Sequence, residues 1–419
     1  MTREDIIKAA FKVWGRELYQ TTSLAQIAGE LGVSKPALYR HFRDKQALLN
    51  AMYTSFFDNY VSFVKPGYER ALNAGNRRDT YLIMIRTVAE YYIRNSDAFI
   101  FSLFRVYSRE DKGVMDRELR ARGINMRDLV CLDHDTGTYP SKIQLCVVTL
   151  TFCTAGFHRN SHKTGEIPSE DQIRRVLNQM EERIMSGLDL DARKVEALDY
   201  EALEKRAAGA VYGETEENKL LQAVAEAVAE AGPWNASMEM VAKRSGLSKS
   251  GLYAHFVNKQ DMVRQFFFTE FVRILNFAKA KVESSEVPEE QLYLAIVSVM
   301  QYLRSRPEIL AAIDWLRTRR LDLEAPVSQQ IYRIITDIKL EAIQKHDGDL
   351  MAWVAQWILF LIVNTLVWGP AKQGETGAPA LQERRNSRNA LVLNFTEVTN
   401  ESCRILFRFI ALGLDGFNL

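Results

Sequence analysis

A 24-residue segment occurs twice in this chain, and that duplication limits what the rest can fold into. Ser23-Leu-Ala-Gln-Ile-Ala-Gly-Glu-Leu-Gly-Val-Ser-Lys-Pro-Ala-Leu-Tyr-Arg-His-Phe-Arg-Asp-Lys-Gln46 returns 214 residues later as Ser237-Met-Glu-Met-Val-Ala-Lys-Arg-Ser-Gly-Leu-Ser-Lys-Ser-Gly-Leu-Tyr-Ala-His-Phe-Val-Asn-Lys-Gln260. Eleven of the 24 positions are identical without a gap, and core positions exchange like for like, as at Ile27/Val241 and Val33/Leu247. One chain therefore carries two copies of one small helical device. At 419 residues it is too long for a single compact core and suits two halves of roughly 200 residues each.

The periodicity is helical throughout, and no long stretch alternates as a strand would. Ile6, Ile7, Ala10, Phe11, Trp14 and Leu18 mark the inner face of a first helix. Ser23 with Gln26 three residues on forms a capping box for a short second helix, which carries Leu24, Ile27, Ala28 and Leu31 inward. Gly32-Val33-Ser34 makes a tight turn, Ser34 is expected to cap a third helix burying Leu38 and Phe42, and Asp44 to cap a long fourth one. The second half repeats the plan with Leu220, Leu221, Val224 and Val228, then Ser237, Val241 and Ala242, then Gly246 and Ser248, then Leu252 and Phe256, then Asn258. About 140 residues of amphipathic helix follow each device. Each half closes with an apolar helix, a polar loop (158–171 and 370–388) and a last helix.

Short helix, glycine turn and second short helix make a helix-turn-helix, whose second helix offers its N-terminal residues to base edges in the major groove. Leu38 and Phe42, four apart, form its core face. Lys35 and Tyr39, also four apart, lie on another face and can reach DNA. Lys45, at the start of the fourth helix, adds a cation beside exposed backbone N–H groups, which suits a phosphate.

The run Ile-Ala-x-x-Leu-Gly-Val-Ser-Lys-x-x-Leu-Tyr-x-His-Phe-x-x-Lys-x-x-Leu over 27–48 resembles the reader of the TetR family of bacterial transcriptional regulators. The match covers 5–60 and, more weakly, 218–272. The resemblance implies an all-α protein of two tandem TetR-like units, each a three-helix reader plus a helical ligand and dimerisation domain. It also implies a repressor released by an unidentified small-molecule effector. Carried over by position, base-facing roles fall to Lys35, Pro36, Ala37 and Arg40. Phosphate roles fall to Thr22, Ser23, Tyr39, His41 and Lys45. The second copy offers Lys249, Ser250, Gly251, Tyr253, His255 and Lys259. Domain boundaries are expected at 1–48, 49–190, a linker at 191–214, 215–262 and 263–419.

The copies also differ. Arg40 becomes Ala254 and Arg43 becomes Val257, and residues 1–50 carry a balance of +3 where 214–264 carry −1. Each lost phosphate-neutralising group removes counterion release and hence affinity. Gly251 weakens its short helix by up to about 1 kcal/mol relative to Ala37. The first reader is therefore expected to dominate. With both readers on one polypeptide, the uncharged helices 143–157 and 350–368 are expected to pair the halves as a pseudo-dimer, with Trp353, Trp357 and Phe360 near the centre. A further homodimer is the other possibility. The expected partner is a double-stranded operator that is an imperfect palindrome.

Net charge is only +1, so any nucleic-acid affinity must come from local patches. Four cysteines (Cys131, Cys146, Cys153, Cys403) without a Cys-x-x-Cys pair fit a reducing cytoplasm, and the N-terminus lacks the build of a signal peptide. Leu350–Gly369 is uncharged and almost long enough to span a bilayer. A helix apolar on all sides is also what a buried bundle helix looks like, and no membrane partner is expected. Tyr91, Phe101, Phe104, Tyr302 and Trp315 are candidates for an effector pocket, with plain core packing as the alternative. His158 and His162, four apart, share a helix face, but no carboxylate stands at helical spacing, and neither metal nor cofactor is expected. No phosphate loop, nucleophile elbow or carboxylate pair supports an enzyme. The competing reading is a scaffold in which one or both readers no longer bind DNA.

Overall fold

A computed structural model describes residues 2–16, 23–106, 113–129, 140–164, 168–209, 216–232, 235–318, 325–344, 348–367 and 398–417. Among these residues all regular structure is helical. The chain folds into two compact units, one of Met1–Thr136, Leu150–Glu182 and Leu419, the other of Gly137–Thr149 and Arg183–Asn418.

The first unit opens with α1 (Arg3–Arg16), α2 (Leu24–Glu30) and α3 (Lys35–Tyr39). The capping box at α2 is present: the Ser23 hydroxyl accepts from the Gln26 N–H (3.3 Å) while the Ser23 N–H donates to the Gln26 side chain (2.6 Å). Gly32 then turns the chain at φ 65°, a left-handed position that costs other residues about 1–2 kcal/mol. Asp44 accepts from the Ala47 N–H (2.7 Å) and starts α4 (Lys45–Leu72), which packs on α5 (Arg77–Arg94). Where these two long helices cross, Gly67 lies so near Thr87 that an added methyl would overlap the threonine side chain.

A short helix, α6 (Ser96–Phe101), and a π-turn at Ser102–Val106 bring Phe101 into an aromatic cluster. Its ring meets Phe11 at 5.0 Å, Tyr53 at 5.2 Å and Phe56 at 5.5 Å. Edge-to-face pairs at such distances add to the area they bury. Helix α8 (Lys142–Thr164) runs through residues expected to form a polar loop, and α9 (Glu170–Ser186) follows. The polar stretch 159–164 holds neither glycine nor proline, so nothing in it stops the helix; polarity alone was a poor stop signal.

The second unit repeats the opening with α12 (Glu216–Ala231), α13 (Met238–Ser245) and α14 (Lys249–Tyr253), turning at Gly246 with φ 73°. Asn258 caps α15 (Lys259–Val282), which packs on α16 (Pro288–Ser305). Among its described residues, 191–209, the segment expected as a linker is largely helical. Within it α10 (Ala192–Glu196) and α11 (Tyr200–Ala207) dock on this unit. Tyr200 stacks edge-on against Tyr293 (4.9 Å) and Phe407 (6.1 Å), and Glu204 is buried.

Glu204 takes hydrogen bonds from Tyr293 Oη (2.7 Å) and from two nitrogens of Arg404 (2.7 and 2.9 Å). Asn400 Nδ2 adds a fourth at 2.9 Å, which ties α11 to α16 and to α21 (Asn400–Leu412). A connector held by a buried carboxylate is a structural element, not a tether.

Two glycines set a backbone crossing in the same unit. Gly187 (φ 59°) and Gly413 (φ 61°) bring the end of α9 against the end of α21. There the Leu188 N–H donates to Ile410 O (2.8 Å) and the Leu190 N–H to Ala411 O (3.1 Å). Nearby, α20 (Gly348–Val367) is apolar on all sides. Asp349–Val367 is long and apolar enough to cross a membrane, with 67% of its most apolar window buried inside the protein. Trp357 is fully buried, and its indole N–H donates to Thr149 Oγ1 (3.1 Å).

Candidate nucleic-acid interface

In the first reader the core face is closed by Leu38 on α3 and by Phe42, which lies just past the end of that helix rather than on it: they are 1% and 2% exposed. The helix geometry then pushes the residues between them outward. Tyr39 is 45% exposed, and Lys35, one turn earlier, holds its ammonium 5.9 Å from the Tyr39 ring centre. Pro36 and Arg40 are exposed, while Ala37 and His41 are half-buried. Ser23 is exposed, with its hydroxyl already engaged as the α2 cap; Thr22 lies outside the described residues.

Lys45 is half-buried. Burial and then the charge of Arg105 hold its ammonium below the ordinary lysine value. Arg3 stacks over the Phe42 ring at 4.5 Å and closes the core from the α1 side. Ser34 occupies the N-cap of α3 without a side-chain cap bond, and the Ala37 N–H goes instead to the Ser34 carbonyl (3.0 Å).

The second reader presents the same face. Leu252 and Phe256 are buried, Tyr253 is 50% exposed, and Lys249, Ser250 and His255 are exposed. Gly251 and Lys259 are half-buried. Here the cap is made, with the Gly251 N–H donating to Ser248 Oγ (3.0 Å). Ala254 is exposed and Val257 is 80% exposed. The Val257 N–H donates to the Asp261 carboxylate (3.1 Å), which is held below the usual carboxylate range by bonds from Gln265, Arg264 and this N–H.

A further difference lies between the first two helices of each reader. Lys12 pairs with Glu30 in the first copy, and 214 residues on, Glu226 and Glu230 face Arg244 in the second. The bridge is kept with its signs exchanged. That exchange is legible in the two aligned sequences, but only once α1 is aligned as well as the 24-residue repeat. At half-exposed sites such a pair is worth at most about 1 kcal/mol, so it trims the docking of the helices without deciding it.

This geometry meets the comparisons at the same places. The family described as bacterial regulatory proteins, tetR family, matches residues 6–52 and again residues 220–266. The chain carries two tandem readers of the TetR type. An uncharacterised HTH-type transcriptional regulator, YerO, from Bacillus subtilis (strain 168) is 40% identical over 47 residues. That match spans 11% of this chain and 16% of the relative's length.

Two solved structures align with 46% of this chain and 97% of their own, each at a TM-score of 0.35. One is the transcriptional regulator FadR from Bacillus subtilis in complex with stearoyl-CoA, 16% identical. The other is the fatty acid degradation regulator FadR from Bacillus halodurans, 14% identical. A likeness this low assigns neither ligand nor site to the tandem TetR chain.

Of the other site residues, Tyr91 is buried between the rings of Tyr60 (5.0 Å) and Tyr92 (5.3 Å), and Phe101 sits in the cluster described above. Both side chains are packed against neighbouring rings. Tyr302 is buried and donates to Glu270 (3.0 Å), a fully buried carboxylate that also accepts from Arg273 (2.9 Å). The side chains of Phe104 and Trp315 lie outside the described residues. His158 is buried on α8 and donates from Nε2 to the Tyr92 carbonyl (2.8 Å), while His162 is exposed, so the two do not converge.

Trp353 and Phe360 are half-buried on α20, and the Arg183 guanidinium stands over the Trp353 and Trp357 rings at 5.8 and 5.4 Å. One open cavity of about 440 Å³ lies in the second unit, lined by Asp189, Lys194, Glu289, Lys339, Glu341 and the apolar Leu340 among others.

Proposed function

We infer that this chain binds double-stranded DNA through its TetR readers and regulates transcription as a cytoplasmic repressor, with release by a small-molecule effector. The observation that carries this reading is the outward tyrosine of each reader. Tyr39 and Tyr253 are 45% and 50% exposed beside leucines at 1% and 0%. A large aromatic left in water next to a closed core, with a lysine one turn away, is suited to a sugar-phosphate backbone. Base-facing roles go to Lys35, Pro36, Ala37, Arg40, Lys249, Ser250 and Gly251, and the domains proposed are 1–48, 49–190, 215–262 and 263–419, with 191–214 as a docked connector rather than a free linker.

The pairing proposed is a single-chain pseudo-dimer. It is supported by contacts inside the second unit that join first-half to second-half segments: the Thr149–Trp357 hydrogen bond, Arg183 on the tryptophans, and the Gly187–Gly413 crossing. A covalent connection makes such pairing independent of concentration. Light scattering is expected to give a particle close to the 48.0 kDa chain mass; a dimer carrying four readers contradicts the pairing.

The first reader is expected to contribute more, because Arg40 and Arg43 have no cationic counterparts at Ala254 and Val257. In gel shifts with a duplex selected by the intact chain, Tyr39→Ala is expected to lose about tenfold in affinity, the worth of roughly one charge-assisted contact. Tyr253→Ala is expected to lose clearly less. Equal losses overturn the ranking.

A further inference from the structure

The geometry points to directional docking: the chain seats on its operator in one orientation, the first reader on a half-site offering guanine and the second on one offering thymine at the equivalent place. This rests on the DNA-binding reading above and adds to it which base each reader selects. A homodimer shows the same chemistry to both half-sites, so its two orientations are indistinguishable. Here the two readers share Lys35/Lys249 and Tyr39/Tyr253, which preserves a common grip on the backbone. They part company on the remaining outward positions. Arg40, at the end of α3, and Arg43, whose Nε stands 3.0 Å from the Asp44 carboxylate, are both exposed, and a guanidinium can bond both O6 and N7 of guanine in the major groove.

The same two places in the second reader hold Ala254 and Val257, with no cation introduced among the adjacent outward positions to replace those lost. Val257 is 80% exposed, and its backbone is pinned by the Asp261 carboxylate at 3.1 Å, so its methyl groups are held toward solvent. Methyl-bearing side chains find their match in the C5-methyl of thymine, which only T·A and A·T pairs carry. The difference is therefore one of recognition chemistry as well as of charge.

The test is selection of binding sites from random-sequence duplex by the full chain, followed by titrations on the selected site and on versions with one half replaced by the other. The wild-type chain is expected to select two unlike halves, and replacing either half is expected to weaken binding about tenfold. Ala254→Arg/Val257→Arg is expected to select guanine in both halves, and Arg40→Ala/Arg43→Val to lose guanine from the first. All four positions are solvent-exposed, so helix content by circular dichroism is expected to match wild type. A perfect inverted repeat selected by the wild-type chain overturns directional docking and leaves DNA binding standing. Failure of the wild-type chain to enrich any duplex brings down both.

Discussion

Gly413→Ala is expected to be the most damaging single methyl that can be added to this protein. Gly413 sits at φ 61°, ψ −155°, a region open essentially to glycine alone, which costs another residue about 1–3 kcal/mol. The added Cβ would also overlap the Met185 carbonyl and the Ser186 nitrogen. These are backbone atoms of α9 that cannot rotate aside as a side-chain tip can. Overpacking of that kind costs about 1–3 kcal/mol more. A total on the order of 4 kcal/mol is a large part of a domain's stability.

Gly187→Ala meets the same crossing from the other side, because its Cβ would strike Phe409 O and Gly413 N. The control is Gly32→Ala, which has a similar φ of 65° but nothing within 4 Å of the new methyl, and is expected to cost only about 1–2 kcal/mol. Urea unfolding followed by circular dichroism separates the cases. A Gly413→Ala protein as stable as wild type would mean that α9 and α21 do not cross as described.

Glu204→Ala is the second large effect. The carboxylate is 7% exposed and collects four donors, two of them from Arg404, which is one-third exposed. Removing it strands a partly buried guanidinium and the Tyr293 hydroxyl. Full burial of such a broken pair costs about 3–5 kcal/mol, and the partial exposure of Arg404 brings the expectation to roughly 2–3 kcal/mol.

The pH dependence has a definite sign. Burial pushes the Glu204 carboxyl up, but the bonds from Arg404 and Tyr293 and the Arg404 charge outweigh it and hold the group below its ordinary value. A carboxyl lowered in the folded state contributes stability that is present above its unfolded value, near 4.3, and is lost as pH falls through the folded value. Wild type is therefore expected to outlast Glu204→Gln most clearly at neutral pH, with the gap closing as the pH drops below about 4. A gap constant across that window would show that the carboxylate's charge plays no part.

The readers were legible because their constraints are local. Ser23 with Gln26, Gly32, Asp44 and Asn258 each answer to one turn of backbone, and the face shared by Leu38 and Phe42 follows from a spacing of four. What was not legible depends on residues far apart in the chain. Nothing near Glu204 in sequence announces Arg404 or Asn400, so 191–214 read as a charged linker when its helices are docked. Tyr91 and Phe101 stand at the right helical spacing for a pocket, yet whether aromatics at that spacing enclose space or fill it is decided by Phe11, Tyr53 and Tyr60 arriving from other helices. The end of α8 is hidden for a simpler reason: the polar stretch 159–164 holds no glycine or proline, and polarity alone does not stop a helix.

In the proposed function the outer faces of α3 and α14 hold a duplex by its phosphates. The most direct test is the affinity of the full chain for random-sequence duplex, titrated across salt concentration, for wild type and for Lys35→Ala. Wild-type affinity is expected to fall linearly in log–log form, with a slope of about 0.9 for each phosphate neutralised. Lys35→Ala is expected to make the slope shallower by about one such step. Binding that does not change with salt, or no binding at all, would contradict the account and leave the helix-turn-helix pair as a scaffold for some other partner.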